Sequence, residues 1–223
     1  MHHSARRQMA LCLETHLDPA RSYRMVEVGS AISRTQTKTH RDLLEPYRVR
    51  YIGVDIKSGP NVDRVMPNPY TIPVPSRSVD IVISGQTFEH IPFPWATAME
   101  IRRILVPGGL LIVTAPSRGN RHDVYDCWRY YPDAVRALAA WSNLEVLEAY
   151  TDFPPIRSDS QVRHHYARIT QSHYWGDTVG VLRKPSGRTS LRTRTFSALV
   201  RLWANRHADL ERVPLPPVPA GRL

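Results

Sequence analysis

Residues 24–55 constrain the fold more than any other stretch. They open Arg24-Met25-Val26-Glu27-Val28, an apolar run with one carboxylate inside it. The chain then turns through Gly29-Ser30-Ala31-Ile32-Ser33, small at every position but Ile32. A helix-like segment leads to a second β-rich run, Val49-Arg50-Tyr51-Ile52-Gly53-Val54, which ends on Asp55. Strand, small-residue turn, helix, strand, acid is half of a nucleotide-binding α/β sheet. Small residues in the first turn let a ligand approach the backbone, and an acid ending the second strand can accept hydrogen bonds from both hydroxyls of a ribose. An adenosine-containing cofactor is therefore the first expectation.

The rest of the chain extends this pattern. A helix over about 5–18 caps the sheet, and the first strand runs over about 24–29. A helix over about 34–45 ends near Pro46, and the second strand covers about 49–55. Residues 62–66 form a short third strand. Pro67, Pro69, Pro73 and Pro75 then forbid a helix and fix an extended connection. The fourth strand, Val79-Asp80-Ile81-Val82-Ile83-Ser84, is nearly all apolar, as in a parallel sheet buried on both faces. A helix over about 94–105 is stopped by Pro107-Gly108-Gly109, which turns the chain into a fifth strand over 110–115. A helix over about 132–141 starts with proline in its first turn. Strands six and seven cover about 144–150 and 178–182. The expectation is a single α/β domain over 1–212, with a lid-like insertion over 151–177 and a basic helix over about 190–208. Residues 213–223 hold four prolines and form a flexible tail.

Bulk properties narrow the class. At 223 residues the chain suffices for one α/β domain with a good core. No apolar run approaches the roughly 20 residues a membrane helix needs, so no membrane insertion is expected. The amphipathic N-terminus does not read as a secretory leader. Two cysteines, Cys12 and Cys127, make no disulfide framework. A cytoplasmic protein is the simple reading. The formal charge is +10, and residues 183–212 carry eight basic groups against Asp209 and Glu211. Such a segment could meet nucleic acid or an anionic surface, or be a solvated helix face. Only three of the 30 basic residues are lysine, so the arginine bias runs through the whole chain. Charge alone is weak evidence, and nucleic acid is not the expected partner.

The series Glu27-x-Gly29-x-Ala31-x-Ser33, Asp55, Ser78 to Gln86, Glu89-His90-Ile91 and Leu105-Val106-Pro107-Gly108-Gly109-Leu110 resembles the class I S-adenosylmethionine-dependent methyltransferases. The resemblance covers about residues 26–117. It implies a Rossmann-like α/β fold, a seven-stranded mostly parallel sheet with helices on both faces and an antiparallel last strand. It also implies an S-adenosylmethionine site. Glu27, Gly29 and Ser30 would lie under the methionine part, with Ala31 and Ser33 where the family usually has glycines. Asp55 would hold the ribose, Ile56 would pack on the adenine, and Asn68 or Tyr70 would sit near its edge. Gly85 and Gln86 would face the methionine or sulfonium. Read without the series, Asp55 is a strand-end residue capping a turn.

A second constellation follows the fifth strand, from Ala115-Pro116-Ser117 to Tyr131-Pro132-Asp133. Ligands in open α/β sheets bind outside the carboxyl ends of strands, and this loop leaves from such an end. His122, with Asp123 and Asp126 nearby, suits a general base for a hydroxyl acceptor, and Glu89 and His90 compete for that part. Tyr125, Trp128, Tyr130, His165, Tyr166 and Trp175 are the expected acceptor contacts. The structural alternative buries the aromatics as a plug and makes Asp126 a cap. A metal is conceivable, Mg²⁺ held by Glu89, Asp123 and Asp126. The loop and the later Trp175-Gly176-Asp177-Thr178 resemble methyltransferases found with bacterial glycan-modifying enzymes, near the actinobacterial sugar O-methyltransferases of methylmannose polysaccharide biosynthesis. The expected activity is methyl transfer to a saccharide hydroxyl, with a homodimer contact as one use of the long insertion. A methyltransferase acting on RNA or a small metabolite, and a non-catalytic methyltransferase-like subunit, are the alternatives. A nicotinamide dehydrogenase is disfavoured because the Gly-x-Gly-x-x-Gly turn is absent.

Overall fold

The computed structural model describes residues 3–32, 38–119, 121–122, 125–152, 176–187, 191–207 and 209–213. In chain order the elements are α1 (His3–His16), β1 (Ser22–Val28), β2 (Arg48–Asp55), β3 (Arg64–Val65) and β4 (Val79–Gly85). Then come α2 (Pro94–Ile104), β5 (Leu105–Pro116), α3 (Pro132–Ser142), β6 (Glu145–Asp152), β7 (Asp177–Arg183) and α4 (Leu191–His207). The strands form one seven-stranded sheet in the order β3-β2-β1-β4-β5-β7-β6. The first five are parallel, and β7 runs antiparallel to both β5 and β6.

Strand periodicity divides the core in two. Val26, Val28 and Val82 face one side and pack with residues of α2, α3 and α4, among them Ile101, Ile104, Leu138 and Ala204. Met25, Ile81, Ile83 and Val181 face the other and pack under Met9, Cys12 and Leu13 of α1. Each fully buried isoleucine or leucine contributes about 1.5–3 kcal/mol relative to exposure. Proline opens both α2 and α3, where its missing N–H costs nothing. Asn143 ends α3 at φ 53°, its N–H donating back to the Ala139 and Ala140 carbonyls.

Three expected boundaries change. Within 34–45, the described residues hold a short 3₁₀ turn, Arg41–Leu44, in place of the expected helix. Local and tertiary bonds compete there: Thr39 N–H donates to Asp42 Oδ2 at 2.7 Å, and His40 is drawn inward to Glu27. The fifth strand starts at Leu105, not 110. Leu105 pairs with Val79, residues 106–109 bulge out with Gly108 at φ +79°, and Leu110 resumes the ladder opposite Ile81. Thr151, Asp152 and Asp177 belong to β6 and β7, so the insertion's ends are sheet. Residues 153–175 lie outside the described residues, as do 214–223 of the expected tail.

The bulge is tied to the end of β7. Gly108 N–H donates to the Lys184 carbonyl, and Lys184 N–H to the Gly109 carbonyl. The buried Lys184 ammonium donates to the Arg102 and Leu105 carbonyls, at 2.8 and 2.5 Å, closing the C-terminus of α2. Burial first, then the nearby Arg102 and Arg77 guanidiniums, brings its pKa down to about 8. An unfolded lysine titrates near 10.4, so between these values the unfolded chain holds more protons and stability rises with pH. Denaturation of wild type and Lys184→Met is expected to show the wild type gaining up to about 3 kcal/mol relative to the variant from pH 8 to 10. A difference that stays flat with pH would remove Lys184 as the cause.

Candidate active site

The first turn is built by hydrogen bonds from its neighbours. Gly29 and Ser30 N–H donate to the Val54 carbonyl, and Ser84 Oγ–H donates to the Val28 carbonyl. Gly29 sits at φ +82°, and a Cβ there would lie 2.0 Å from Thr87 Oγ1, so glycine is required on both counts. Gly53 leaves room for Ser30, whose Oγ would lie 2.7 Å from a Cβ at that position. Asn61 Nδ2 bridges the Ser30 carbonyl and Tyr51 Oη at 2.9 and 3.1 Å. Asp55, at the end of β2, accepts from Ala31 N–H and Lys57 N–H, both at 3.0 Å. Each carboxylate oxygen keeps a further lone pair. The strand-end capping reading of Asp55 thus describes these contacts, and a ribose would add to them. Ile56, next along, is 49% exposed.

Glu27 points to the α1 side of β1 and is buried. Its carboxylate accepts from His40 Nδ1 at 2.7 Å and from the Tyr51 hydroxyl. Burial and the Glu27 charge push the Tyr51 pKa far up, so it stays a donor. The His40 ring packs on Gly85, where a Cβ would lie 2.3 Å from its Cε1. His40 Nε2, Ser30 Oγ, Thr114 Oγ1 and Ser117 Oγ are buried without a hydrogen-bond partner among the described residues. Gln86 follows at φ 54°, its Nε2 donating to Asp177 Oδ1 at 3.1 Å, while Ser4 of α1 donates to Asp177 Oδ2 at 2.6 Å.

Two expected cofactor contacts are corrected or reduced. Tyr70 is fully buried in the core, its hydroxyl accepting from Phe93 N–H and its ring packed against the Phe93 ring at 6.0 Å between centroids. Asn68 Oδ1 caps the same turn by accepting from Tyr70 N–H. Ser33 lies outside the described residues.

The second constellation gathers on the short 3₁₀ turn Phe88–His90. Residues 125–130 are stitched to it. Cys127 and Trp128 N–H donate to the Glu89 carbonyl, Trp128 Nε1 to the Ile91 carbonyl, and Tyr130 Oη–H to the Phe88 carbonyl. Tyr130 is thereby a core plug and not an acceptor contact, as its burial requires its hydroxyl to find a backbone partner. Trp128 stays 39% exposed and Tyr131 45%. His90 Nδ1 donates to the Tyr125 carbonyl at 2.5 Å, and its ring meets His122 edge to face at 4.9 Å. The two histidines expected to compete therefore stand together.

Glu89 is fully buried beside them, with neither carboxylate oxygen hydrogen-bonded. Desolvation above all raises its pKa to about 8, and the Asp126 and Asp177 charges add to the rise. Asp126 behaves oppositely. Arg129 grips it at 2.5 and 2.7 Å and His122 N–H donates to it, which brings its pKa down to about 2. The expected Mg²⁺ set of Glu89, Asp123 and Asp126 is thus not assembled among the described residues. Asp126 is spent on Arg129, and Asp123 lies outside, with His165, Tyr166 and Trp175. Asp126 Oδ2 lies 3.4 Å from His122 Nδ1, where it orients the ring.

Sequence reasoning missed His40, Tyr51 as a partner of Glu27, Thr87 and Asp177. The one available signal concerned Asp177: an antiparallel last strand begins at the edge where the parallel strands end.

Comparison with known proteins bears on the domain and the fold. Residues 27–113 match a methyltransferase domain model. A probable S-adenosylmethionine-dependent methyltransferase of Mycolicibacterium smegmatis is 37% identical over 71 residues, 32% of this chain and 24% of that protein. The match thus spans about a quarter of that relative's length. The [4+2]-cyclase SpnF superposes with a TM-score of 0.58 at 16% identity, covering 82% of this chain and 81% of its own. A Haemonchus contortus phosphoethanolamine N-methyltransferase 2, in complex with S-adenosyl-L-methionine, gives 0.54 at 14%, covering 80% and 52%. At such identities the superpositions speak for fold alone. Residues 27–113 thus match a methyltransferase domain, and they lie on a sheet ordered 3-2-1-4-5-7-6 with the Rossmann-like methyltransferase fold.

Proposed function

We propose that this protein transfers a methyl group from S-adenosylmethionine to a hydroxyl of a saccharide. The observation that carries the cofactor reading is the set of buried, unpartnered polar atoms around the ends of β1, β4 and β5: Ser30 Oγ, His40 Nε2, Thr114 Oγ1 and Ser117 Oγ. Buried polar groups left without partners cost free energy, which a polar ligand relieves. Asp55 has lone pairs to spare for a ribose, and Ile56 offers an exposed apolar surface for a base. These residues fit the cofactor. When bound, it supplies an electrophilic methyl group on a sulfonium. The chain's own work is to bind, to align an acceptor and to take its proton.

The hydroxyl reading rests on the histidine pair. Alcohols are poor nucleophiles while protonated, and His122, oriented by Asp126, can accept that proton at a ring nitrogen. Exposed Trp128 and Tyr131 on the adjoining loop give faces on which a sugar ring can stack. A transfer assay with labelled cofactor over matched hydroxyl and amine acceptors, saccharides included, tests the reading. Product on amines alone would overturn O-methylation, and product on non-carbohydrate alcohols alone would overturn the saccharide.

Asp55 gives a narrower check. Asp55→Ala is expected to weaken S-adenosylmethionine binding by about 1.5–3 kcal/mol, the scale of hydrogen bonds to a charged group. Unchanged affinity by calorimetry would remove Asp55 from the ribose.

A further inference from the structure

We propose that Glu89, His90 and His122 form a binding site for a divalent transition-metal ion, with two histidine nitrogens and a carboxylate as ligands. One ligand atom from each residue falls within 4.8 Å of the other two. Glu89 and His90 are consecutive on a 3₁₀ turn, and His122 comes from the loop after β5, so the group spans two segments held together by the bonds of residues 127–130.

The independent pointer to an ion is Glu89. Its side chain is fully buried, and both oxygens lack a hydrogen-bond partner. A buried carboxyl group with neither oxygen paired is costly, and a bound cation supplies the missing partner. His90 Nε2 lies 3.6 Å from Glu89 Oε1. Four ligands at about 2.0 Å in a tetrahedron stand about 3.3 Å apart, so this pair already has nearly the right spacing. His122, 40% exposed on its side chain, closes the remaining gap by rotating about its own side-chain bonds.

The surroundings of the two histidines suit ligands. Metal-bound imidazoles are held from behind by a backbone carbonyl or a carboxylate, which fixes tautomer and ring orientation. His90 has the first kind of support: Nδ1 donates to the Tyr125 carbonyl, which turns the Nε2 lone pair toward Glu89. His122 has the second, with Asp126 Oδ2 at 3.4 Å from Nδ1 and Asp126 itself locked by Arg129. Two imidazoles and one carboxylate select Mn²⁺, Fe²⁺, Co²⁺ or Zn²⁺ over the hard cations Mg²⁺ and Ca²⁺, which prefer oxygen throughout. Three protein ligands also leave positions open for an oxygen ligand. On the methyl-transfer reading that oxygen is the acceptor hydroxyl, held beside the end of β4; the ion site itself stands without that reading.

The test uses the whole chain, stripped with a chelator and titrated with Co²⁺ by visible absorption and with Zn²⁺ by calorimetry. One equivalent is expected to bind, with Mg²⁺ failing to compete. His90→Ala, His122→Ala and Glu89→Gln are each expected to lower affinity by more than about 100-fold, beyond what loss of an outer partner does. His122→Ala alters an exposed loop side chain, so an unchanged melting temperature shows that its loss of binding is not loss of fold. Absence of binding, or affinity kept within a factor of two in His122→Ala and His90→Ala, would overturn the site. S-adenosylmethionine binding in the same stripped sample reads the function separately. Metal binding without cofactor binding sinks the methyl-transfer reading and keeps the site, and the reverse sinks the site alone.

Discussion

Replacing His122 with alanine is expected to lower turnover of a hydroxyl acceptor by about 10²–10⁴-fold, the usual worth of a positioned general base. The expectation comes from placement. His122 stands edge to face with His90, just past the end of β4, in the same loop that carries exposed Trp128. Asp126, held ionised by Arg129 through the neutral range, backs its Nδ1. Cofactor affinity is expected to change little, because the candidate cofactor contacts at the ends of β1, β2, β4 and β5 do not include the His122 side chain. Single-turnover rates with calorimetry on the same preparation separate the two quantities. Where His122 acts as base, the variant also loses the acidic limb of its pH–rate profile. Where it acts as an ion ligand, its metal content falls with its rate. Near-wild-type turnover in His122→Ala together with loss in His90→Ala would move the chemistry to His90.

The sheet was legible in the sequence because its signals are local. Val79 to Ser84 is apolar on both faces, as only a central strand can be, and the acid after Val54 marks a strand end. The bulge at 106–109 was not legible, because Pro107-Gly108-Gly109 also reads as a helix stop. What keeps Leu105 in the sheet is Lys184, some eighty residues away, capping α2 with its ammonium. Among the described residues of the helix expected over 34–45, a 3₁₀ turn forms in its place for a similar reason. The helical periodicity was acceptable, but His40 has a tertiary partner in Glu27 that pattern reasoning does not see. At the site, the sequence pointed to Glu89, His90 and His122 separately. That they meet depends on Cys127 and Trp128 N–H docking on the Glu89 carbonyl, a backbone contact with no sequence signature. Asp126 was a carboxylate with several possible parts, and Arg129, three residues on, decided among them.

Glu27→Ala is expected to destabilise the cofactor-free protein by about 2–6 kcal/mol, because it strands two buried donors, His40 Nδ1 and the Tyr51 hydroxyl, at about 1–3 kcal/mol each. The family resemblance gives Glu27 to the cofactor, and on that ground alone its loss would leave the empty protein untouched. Its contacts say otherwise. Glu27 is buried, and its two oxygens accept from His40 Nδ1 and from the Tyr51 hydroxyl. His40 Nε2 already lacks a hydrogen-bond partner among the described residues, so losing Glu27 would leave the whole buried ring without one. For a chain of this length the melting temperature should fall by roughly 10 °C. Tyr51→Phe removes one donor and keeps the pair with His40, so it should cost only about 1 kcal/mol. The double variant should be no worse than Glu27→Ala, because removing the stranded hydroxyl relieves part of the penalty, and the cycle measures that coupling. If Glu27→Ala melts within a degree of wild type while cofactor binding is lost, Glu27 serves the ligand alone. A large loss of stability without ligand makes the Glu27–His40–Tyr51 group the brace that holds His40 against Gly85 before any cofactor arrives.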